Sequence, residues 1–160
     1  MRFDDGEPSD VAHVIALAVA DSAAAPGQCQ WPETLPNACL AMPRELAITA
    51  LRNLVDNALR HGPQGGSITL HTAQTSSDIT FTVHDQGPGV DEATLEQLTR
   101  RFWRASKQQG SGLGLAIVAA ITQRFGGEVR FENAPQGGFR AHLRVPIVPE
   151  PTSKTITTQA

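Results

Sequence analysis

Two asparagines, Asn53 and Asn57, lie four residues apart inside a segment with the apolar periodicity of a helix. Asparagine is a poor residue for a helix interior, so two of them on one face need a reason. Arg60 and His61 extend the same face by a further turn. A solvent-exposed polar face is the simpler alternative. We expect instead that the face lines a cleft, where an amide oxygen is a suitable ligand for Mg²⁺.

A second polar segment, Asp85-Gln-Gly87-Pro-Gly89, directly follows a predicted strand. Glycines leave room for a flat ligand to approach the backbone closely. A carboxylate only accepts hydrogen bonds, so Asp85 suits an exocyclic amine such as that of adenine. Asp followed by Gly is also common in β-turns, and this segment alone is compatible with a purely structural turn.

A second glycine segment consists of Gly110, Ser111, Gly112, Leu113 and Gly114. It leads directly into an apolar helix, so its backbone N–H groups and the helix dipole are suited to a phosphate. The glycine spacing differs from the dinucleotide-binding pattern. There is also no Gly-Lys-Ser/Thr sequence, and the segment does not follow a strand in a βαβ unit. Both of those nucleotide-binding folds are therefore disfavoured.

A basic and aromatic segment, Arg101-Phe102-Trp103-Arg104, lies between the two glycine segments, and Lys107 follows it. We expect it to be either a lid anchored at a hinge or a plain loop with an aromatic plug. A short helix over residues 92–99 is predicted before it, and a polar stretch over 105–110 after it.

The predicted elements form two layers. The first helix carries Val11, Val14, Ile15, Ala18 and Val19 on one face and is capped by Ser9 or Asp10. Other predicted helices run from Pro43, as the first helical residue, to about Arg60, and from about Leu113 to Arg124. One or two short strands, broken by prolines, are expected within residues 31–36 and 38–42. Hairpins are expected at 67–72 with 79–83 and at 128–132 with 139–145. This order predicts an α/β two-layer sandwich, with helices packed on one face of a mixed, mostly antiparallel sheet.

The chain has 160 residues, 18% of them charged, with a formal net charge of −3. This length allows one domain with one core, and the charge gives no basic field for a nucleic acid, which we do not expect as a partner. We predict a linker remnant at 1–9, one folded domain at 10–147 and a disordered tail at 148–160. No apolar run approaches the roughly 20 residues of a membrane span.

In order and spacing, the four segments resemble the N, G1, F and G2 boxes of the catalytic ATP-binding domain of bacterial sensor histidine kinases, within the Bergerat-type ATPases. By this resemblance Asn57 matches the Mg²⁺-ligating asparagine and Asn53 the polar residue one turn before it. Arg60 matches a phosphate-contacting base, and His61 an adenine-side ring. Asp85 would bind the adenine amino group.

The remaining boxes are assigned by the same resemblance. Gly87 and Gly89 would shape the loop around adenine. Phe102 and Arg104 belong to the F box, and Arg104 or Lys107 would help to neutralise the γ-phosphate. Gly110, Ser111, Gly112, Leu113 and Gly114 would hold the phosphates at the end of an ATP lid.

Gyrase-like ATPases carry Glu where this chain has Asn53, and an amide cannot act as a general base on water. Retaining ATP without hydrolysing it is what a kinase requires. No His-Glu-Leu-Arg-Thr-Pro-like phosphoacceptor segment is present, and His13 is expected to be a packing residue of the first helix. The resemblance therefore implies transfer of the γ-phosphoryl group of Mg-ATP to a histidine on a separate dimerisation and phosphoacceptor domain.

The resemblance also implies a response regulator as a partner. The fragment itself would be monomeric, and would be the cytoplasmic domain of a membrane-anchored homodimer in the bacterial inner membrane. Two alternatives remain open from the residues: a nucleotide-binding module without kinase activity, and a protein serine kinase of the anti-sigma type. The segment Arg101-Phe-Trp-Arg104 resembles the histidine-kinase F box better than the serine-kinase pattern.

Overall fold

Helices cover one face of a five-stranded sheet in the computed structural model of the chain. It describes residues 9–107, 114–135 and 137–148, with the side chains of His61 and residues 101–107 excluded. The elements are α1 Val11–Asp21, β1 Cys29–Gln30, α2 Arg44–His61, β2 Ile68–Gln74, β3 Asp78–Asp85, α3 Glu92–Lys107, α4 Gly114–Phe125, β4 Glu128–Asn133 and β5 Phe139–Pro146. None of these helices is both long and apolar enough to cross a membrane.

The sheet has the strand order β1-β2-β3-β5-β4. β1 runs parallel to β2, and the other neighbouring pairs are antiparallel. Side chains alternate in burial along the central strands because successive residues point to opposite faces. The buried apolar residues on these strands are Ile79, Phe81 and Val83 on β3 with Phe139, Ala141, Leu143 and Val145 on β5. The predicted fold class and both predicted hairpins are confirmed.

Helix α2 packs across the middle of the sheet through its apolar stripe. Leu51, Leu54, Val55 and Ala58 are all at most 1% exposed. Burying each large aliphatic side chain stabilises the fold by about 1.5–3 kcal/mol. The helix ends where the Gly62 N–H donates to the Ala58 carbonyl over 2.8 Å. Pro43 is the extended N-cap residue of α2 rather than its first helical residue, which is a one-residue correction.

The strands expected within residues 31–36 and 38–42 are wrong. The short strand in this part of the chain is Cys29–Gln30, which ends before the prolines at Pro32 and Pro36. Cys39 and Leu40 form only isolated bridges, Cys39 with Asp10 and Leu40 with Ile147. The segment crosses between two different partners and is therefore not part of a continuous ladder.

Helix α3 is longer than predicted. It continues through Lys107, so residues 101–107 are helical backbone and not the loop or polar stretch that the sequence suggested. No glycine or proline occurs between Glu92 and Lys107 to stop the helix, and the basic and aromatic residues are tolerated in a helix interior. Asp91 caps the beginning of α3 by accepting from the Thr94 N–H over 2.8 Å.

Helix α1 is capped by Asp10, as expected, through the His13 N–H. The His13 ring is 62% exposed and lies 3.0 Å from the same carboxylate, so its expected packing role is wrong. Ser9 instead donates its hydroxyl to the Met42 carbonyl over 2.6 Å. The predicted linker remnant and tail lie outside the described residues, except for residues 9 and 148.

Candidate functional site

Helix α2 is in close contact with the beginning of α4 at its middle and with the end of β3 at its C-terminus. A Cβ added at Gly114, the first residue of α4, would lie 2.8 Å from Asn53 Oδ1. A Cβ at Gly62, just beyond α2, would lie 3.2 Å from Asp85 Cβ. Three of the four sequence segments therefore converge, with glycine at each close approach, although they lie far apart in the chain.

The two asparagines of α2 differ in how their amides are satisfied. Asn53 Nδ2 donates to the Thr49 carbonyl one turn earlier, over 2.8 Å. Asn57 is only 3% exposed, and its Nδ2 has no hydrogen-bond partner among the described residues. The oxygen and nitrogen of an amide are assigned from their partners, so either atom of Asn57 can face a ligand. An unsatisfied buried polar group costs about 1–3 kcal/mol, which a ligand would offset.

Asp85 is the most deeply buried acidic side chain of the site, at 1% exposure. Its Oδ1 accepts from the Gly87 N–H over 2.8 Å and from the Phe139 N–H over 3.2 Å. Its Oδ2 is buried and has no hydrogen-bond partner among the described residues. Buried polar atoms are nearly always paired, so Oδ2 is an acceptor that the described residues leave open to a donor such as a ligand.

Two glycines keep the space around this carboxylate open. A Cβ at Gly87 would lie 2.6 Å from Pro63 Cδ and 3.4 Å from Asp85 Oδ1. Gly89 has a φ of +85°, a conformation that side chains other than glycine rarely adopt. The loop following β3 therefore depends on glycine for its space at Gly87 and for its backbone conformation at Gly89.

The turn between β4 and β5 also belongs to the site, although its sequence indicates only a hairpin connection. The Phe139 N–H holds Asp85, and Asn133 bonds to the backbone of Val90. Gly137 and Gly138 both have positive φ, +112° and +92°. The Gly-Gly pair is the sequence feature that indicates a tight turn here. The contacts of the turn with Asp85 and Val90 join residues more than 40 positions apart, so the sequence does not indicate them.

The other predicted site residues lie at the end of α2, in α3 or outside the described residues. Arg60 is exposed near the end of α2, and His61 is the last residue of that helix. Phe102, Arg104 and Lys107 are part of helix α3. Gly110, Ser111, Gly112 and Leu113 lie outside the described residues.

Two carboxylates near the site have altered acidity. Hydrogen bonds from Thr94 lower the pKa of the Asp91 carboxyl at the beginning of α3. A hydrogen bond from His142 lowers the pKa of Glu132, next to Asn133 on β4. Within the described ranges, no three His, Cys, Asp or Glu residues cluster closely enough to hold a metal ion by themselves.

Comparison with known proteins gives consistent results for sequence and structure. The family described as "Histidine kinase-, DNA gyrase B-, and HSP90-like ATPase" matches residues 43–149. The signal transduction histidine-protein kinase AfsQ2 of Streptomyces coelicolor is 41% identical over 113 residues, which is 68% of this chain and 21% of AfsQ2. The chain spans only about a fifth of the length of most curated relatives that it matches.

Solved structures show the same fold. The mycobacterial sensor histidine kinase MprB superposes with a TM-score of 0.69 and 27% identity, covering 90% of this chain and 99% of that one. The ATP-binding domain of PrrB from Mycobacterium tuberculosis superposes with a TM-score of 0.66 and 26% sequence identity. The match covers 88% of this chain and 96% of that one. The resemblance to sensor histidine kinase ATP-binding domains is thus confirmed, and the chain belongs to the family of histidine kinase-, DNA gyrase B- and HSP90-like ATPases.

Proposed function

We propose that this chain is the ATP-binding catalytic domain of a sensor histidine kinase. It binds ATP and donates the γ-phosphoryl group to a histidine on a separate dimerisation and phosphoacceptor domain. The observation that carries the proposal is the buried Asp85 Oδ2, which lacks a hydrogen-bond donor among the described residues. The family match and the sensor kinases among its relatives support the same function.

Asp85 selects the base. With Oδ1 already engaged by two backbone N–H groups, Oδ2 accepts from the exocyclic amine of adenine. Guanine carries a carbonyl oxygen at the corresponding position, which would bring two acceptors together. A site that leaves a buried polar group unpaired rejects the wrong ligand strongly. The domain should therefore prefer adenine to guanine nucleotides.

The phosphates bind at the opposite end of the site, where Gly114 begins α4 beside Asn53. The N–H groups at a helix N-terminus and the helix dipole favour negative charge. We assign Asn57 as the ligand of Mg²⁺, because its buried amide lacks a partner for Nδ2 and can turn its oxygen to a hard cation. When bound, Mg²⁺ neutralises charge on the phosphate oxygens. Arg60, exposed near the end of α2, adds positive charge.

In the transfer, a bond forms between an imidazole nitrogen and the γ-phosphorus while the bond to the β–γ bridging oxygen breaks, and ADP leaves. A neutral imidazole is a competent nucleophile, so the domain mainly positions the phosphoryl group and stabilises its charge. Asn53, whose Nδ2 is bonded to Thr49, has no basic group with which to activate water. ATP is therefore retained for transfer instead of being hydrolysed.

The acceptor histidine belongs to another domain. Four histidines have described side chains. His13 contacts the Asp10 cap, His84 bonds the Gly137 carbonyl, and His142 bridges Thr82 and Glu132, so these three have contacts that suit structural roles. The fourth, His71, is exposed on β2. The proposed partners are a dimerisation and phosphoacceptor domain and a response regulator, in a membrane-anchored homodimer whose catalytic domain faces the cytoplasm.

Calorimetric titration with ADP and GDP, each with and without Mg²⁺, tests the binding half of the proposal. We expect ADP to bind at least about tenfold more tightly than GDP, since one charged hydrogen bond contributes about 1.5–3 kcal/mol. Mg²⁺ should strengthen binding in the wild type, and less so after Asn57→Ala. Equal affinity for both nucleotides, or no binding, would refute the assignment of Asp85.

The transfer half needs a second component. With labelled ATP, the isolated domain should acquire no stable phosphate. Adding the helical phosphoacceptor domain of the same full-length kinase should yield a phosphoprotein that loses its label in acid, as phosphohistidine does and phosphoserine does not. Acid-stable label would favour the serine-kinase alternative, and ADP binding without any transfer would favour a nucleotide-binding module.

A further inference from the structure

Asn133, the last residue of β4, is tied to the loop after β3 by two reciprocal hydrogen bonds. Its Oδ1 accepts from the Val90 N–H over 2.9 Å, and its Nδ2 donates to the Val90 carbonyl over 2.7 Å. A Cβ at Gly89 would lie 2.7 Å from Asn133 Oδ1. One side chain therefore satisfies both backbone groups of a loop residue, in a space that the neighbouring glycine leaves free.

The partner of Asn133 in the β4–β5 ladder is Phe139, whose N–H donates to Asp85 Oδ1. The turn between the two is closed by the Ala134 N–H on the Gly138 carbonyl, over 2.8 Å. A Cβ at Gly138 would overlap the Asp85 carbonyl oxygen, so the turn lies directly against the end of β3. One hairpin end thus holds Asp85 through Phe139 and the loop beyond it through Asn133.

We propose that Asn133 is a positioning residue for recognition of the nucleotide base. It fixes Val90, and with it the loop from Gln86 to Val90, at a set distance from Asp85, so that the open Oδ2 faces the amine of the base. The proposal rests on the adenine site proposed above and extends it to a residue outside the four sequence segments.

The exposed position of Asn133 distinguishes a role in positioning the loop from a role in packing the core. Its side chain is exposed, and it is not part of the hydrophobic core. Removing it leaves the apolar core intact, while the Val90 backbone groups can bond to water instead. The loss should therefore fall on the geometry of the loop and not on the stability of the fold.

The reciprocal bonds also predict which substitutions fail. Asn133→Ala removes both bonds. Asn133→Asp keeps an acceptor for the Val90 N–H but brings a carboxylate against the Val90 carbonyl, where a donor is required. Both variants should therefore release the loop, although aspartate is nearly the same shape as asparagine.

The experiment compares ADP with inosine diphosphate, which has a carbonyl oxygen in place of the exocyclic amine. The variants are Asn133→Ala, Asn133→Asp and Thr75→Val, a control in the β2–β3 turn at the other end of β3. We expect the wild type and the control to prefer ADP by about tenfold or more, and both Asn133 variants to prefer it by about threefold or less. Amide hydrogen exchange at Val90 in the nucleotide-free protein should rise only in the Asn133 variants.

An unchanged preference for ADP in both Asn133 variants would overturn the positioning role while leaving the adenine site intact. Equal weakening of both nucleotides would also overturn it, because a purely structural role predicts that result. If the wild type binds neither nucleotide, the proposed function fails and the positioning role fails with it. Should Asn133→Ala not fold, Asn133→Asp carries the same comparison.

Discussion

Strand β3 begins with Asp78 and ends with Asp85, and the two carboxylates behave in opposite ways. Asp78 is partly exposed, and both of its oxygens are engaged: Oδ1 lies 3.4 Å from Arg144 Nη1, and Oδ2 accepts from the Ser77 hydroxyl. Asp85 is buried, with one oxygen bonded to backbone and the other unpartnered among the described residues. A satisfied carboxylate closes a turn, whereas an unsatisfied buried one is suited to recognition of a ligand.

The same contrast separates the two ends of the sheet. At the β2–β3 turn, the Thr75 hydroxyl accepts from the Ser77 and Asp78 N–H groups, so local residues satisfy one another. At the other end, Asp85 and Val90 depend on Phe139 and on Asn133, respectively, from a distant hairpin. The hydrogen bonds of Thr75 at the first end are local in sequence, whereas those that hold Asp85 and Val90 require the assembled sheet.

The largest expected effect comes from the middle of β3, between the two ends. Phe81 is 1% exposed, and Phe81→Ala should lower the free energy of unfolding by about 3–5 kcal/mol, because it removes buried area and leaves a cavity. Denaturant unfolding measures the change, with Phe81→Leu as the milder control. A loss below about 1 kcal/mol would show that β3 is not packed as described.

The next largest effect is expected at the buried amide of Asn57 on α2. Asn57→Ala removes a buried amide whose Nδ2 has no partner among the described residues, so the nucleotide-free protein should keep or gain stability, by up to about 1–3 kcal/mol. Its affinity for Mg-ADP should nevertheless fall about tenfold or more. Thermal unfolding with and without nucleotide measures both quantities.

Asn53→Ala is the matched control for that comparison, because it removes an amide whose donor is already bonded to Thr49. Its stability should not rise beyond the helix-propensity gain from asparagine to alanine, which is below about 0.7 kcal/mol. An Asn57→Ala protein that is much less stable than Asn53→Ala and binds Mg-ADP normally would reverse the assignment of the two residues.

A smaller effect is expected at the β2–β3 turn. Thr75→Val removes the acceptor of two backbone N–H groups, so the free energy of unfolding should drop by about 1 kcal/mol. ADP affinity should stay the same, because this turn lies at the far end of the strand. A clear loss of affinity in titration calorimetry would indicate that the two ends are coupled through β3.

The smallest effect concerns pH. The pKa of Glu132 lies below its ordinary value of 4.5 because His142 donates a hydrogen bond to it, with smaller contributions from the charges of His142, Arg140 and Arg130. A carboxyl with a lowered pKa in the folded state stabilises the fold above its unfolded pKa, and that contribution disappears as pH falls through the folded pKa. Glu132 is 36% exposed, so the contribution should stay below about 1 kcal/mol.

Glu132→Gln should therefore flatten the loss of stability below a pH near the ordinary value of 4.5 and leave nucleotide binding unchanged. Denaturant unfolding at a series of acidic pH values gives the slope. If the free energy of unfolding changed with pH in the same way as in the wild type, Glu132 would not contribute to stability in acid.

Much of the fold follows from local patterns in the sequence. Alternation along Ile79, Phe81 and Val83 identifies β3, and the stripe of Leu51, Leu54 and Val55 identifies α2, because each pattern depends on a single element and one apolar face. The sequence predicts that α3 ends at residue 99, because polar and basic residues follow. The helix continues to Lys107, since no glycine or proline interrupts it.

The site was only partly predictable for the same reason. Asp85 and Asn57 are recognisable because each departs from what its own element needs. Asn133 is an ordinary residue at a strand end, and its partner Val90 lies 43 positions away, so no local pattern indicates the contact. Such contacts depend on which strands become neighbours in the sheet.

Recognition of the adenine amine by the open oxygen of Asp85 is tested most directly at the two ends of β3. Asp85→Asn and Asp78→Asn make the same change at the two ends of one strand, and ADP affinity is measured by calorimetry. We predict a loss of about tenfold or more for Asp85→Asn, since an amide cannot satisfy both the backbone donors and the base, and no change for Asp78→Asn. Normal ADP binding by the Asp85→Asn protein, or an equal loss in both variants, would contradict the account.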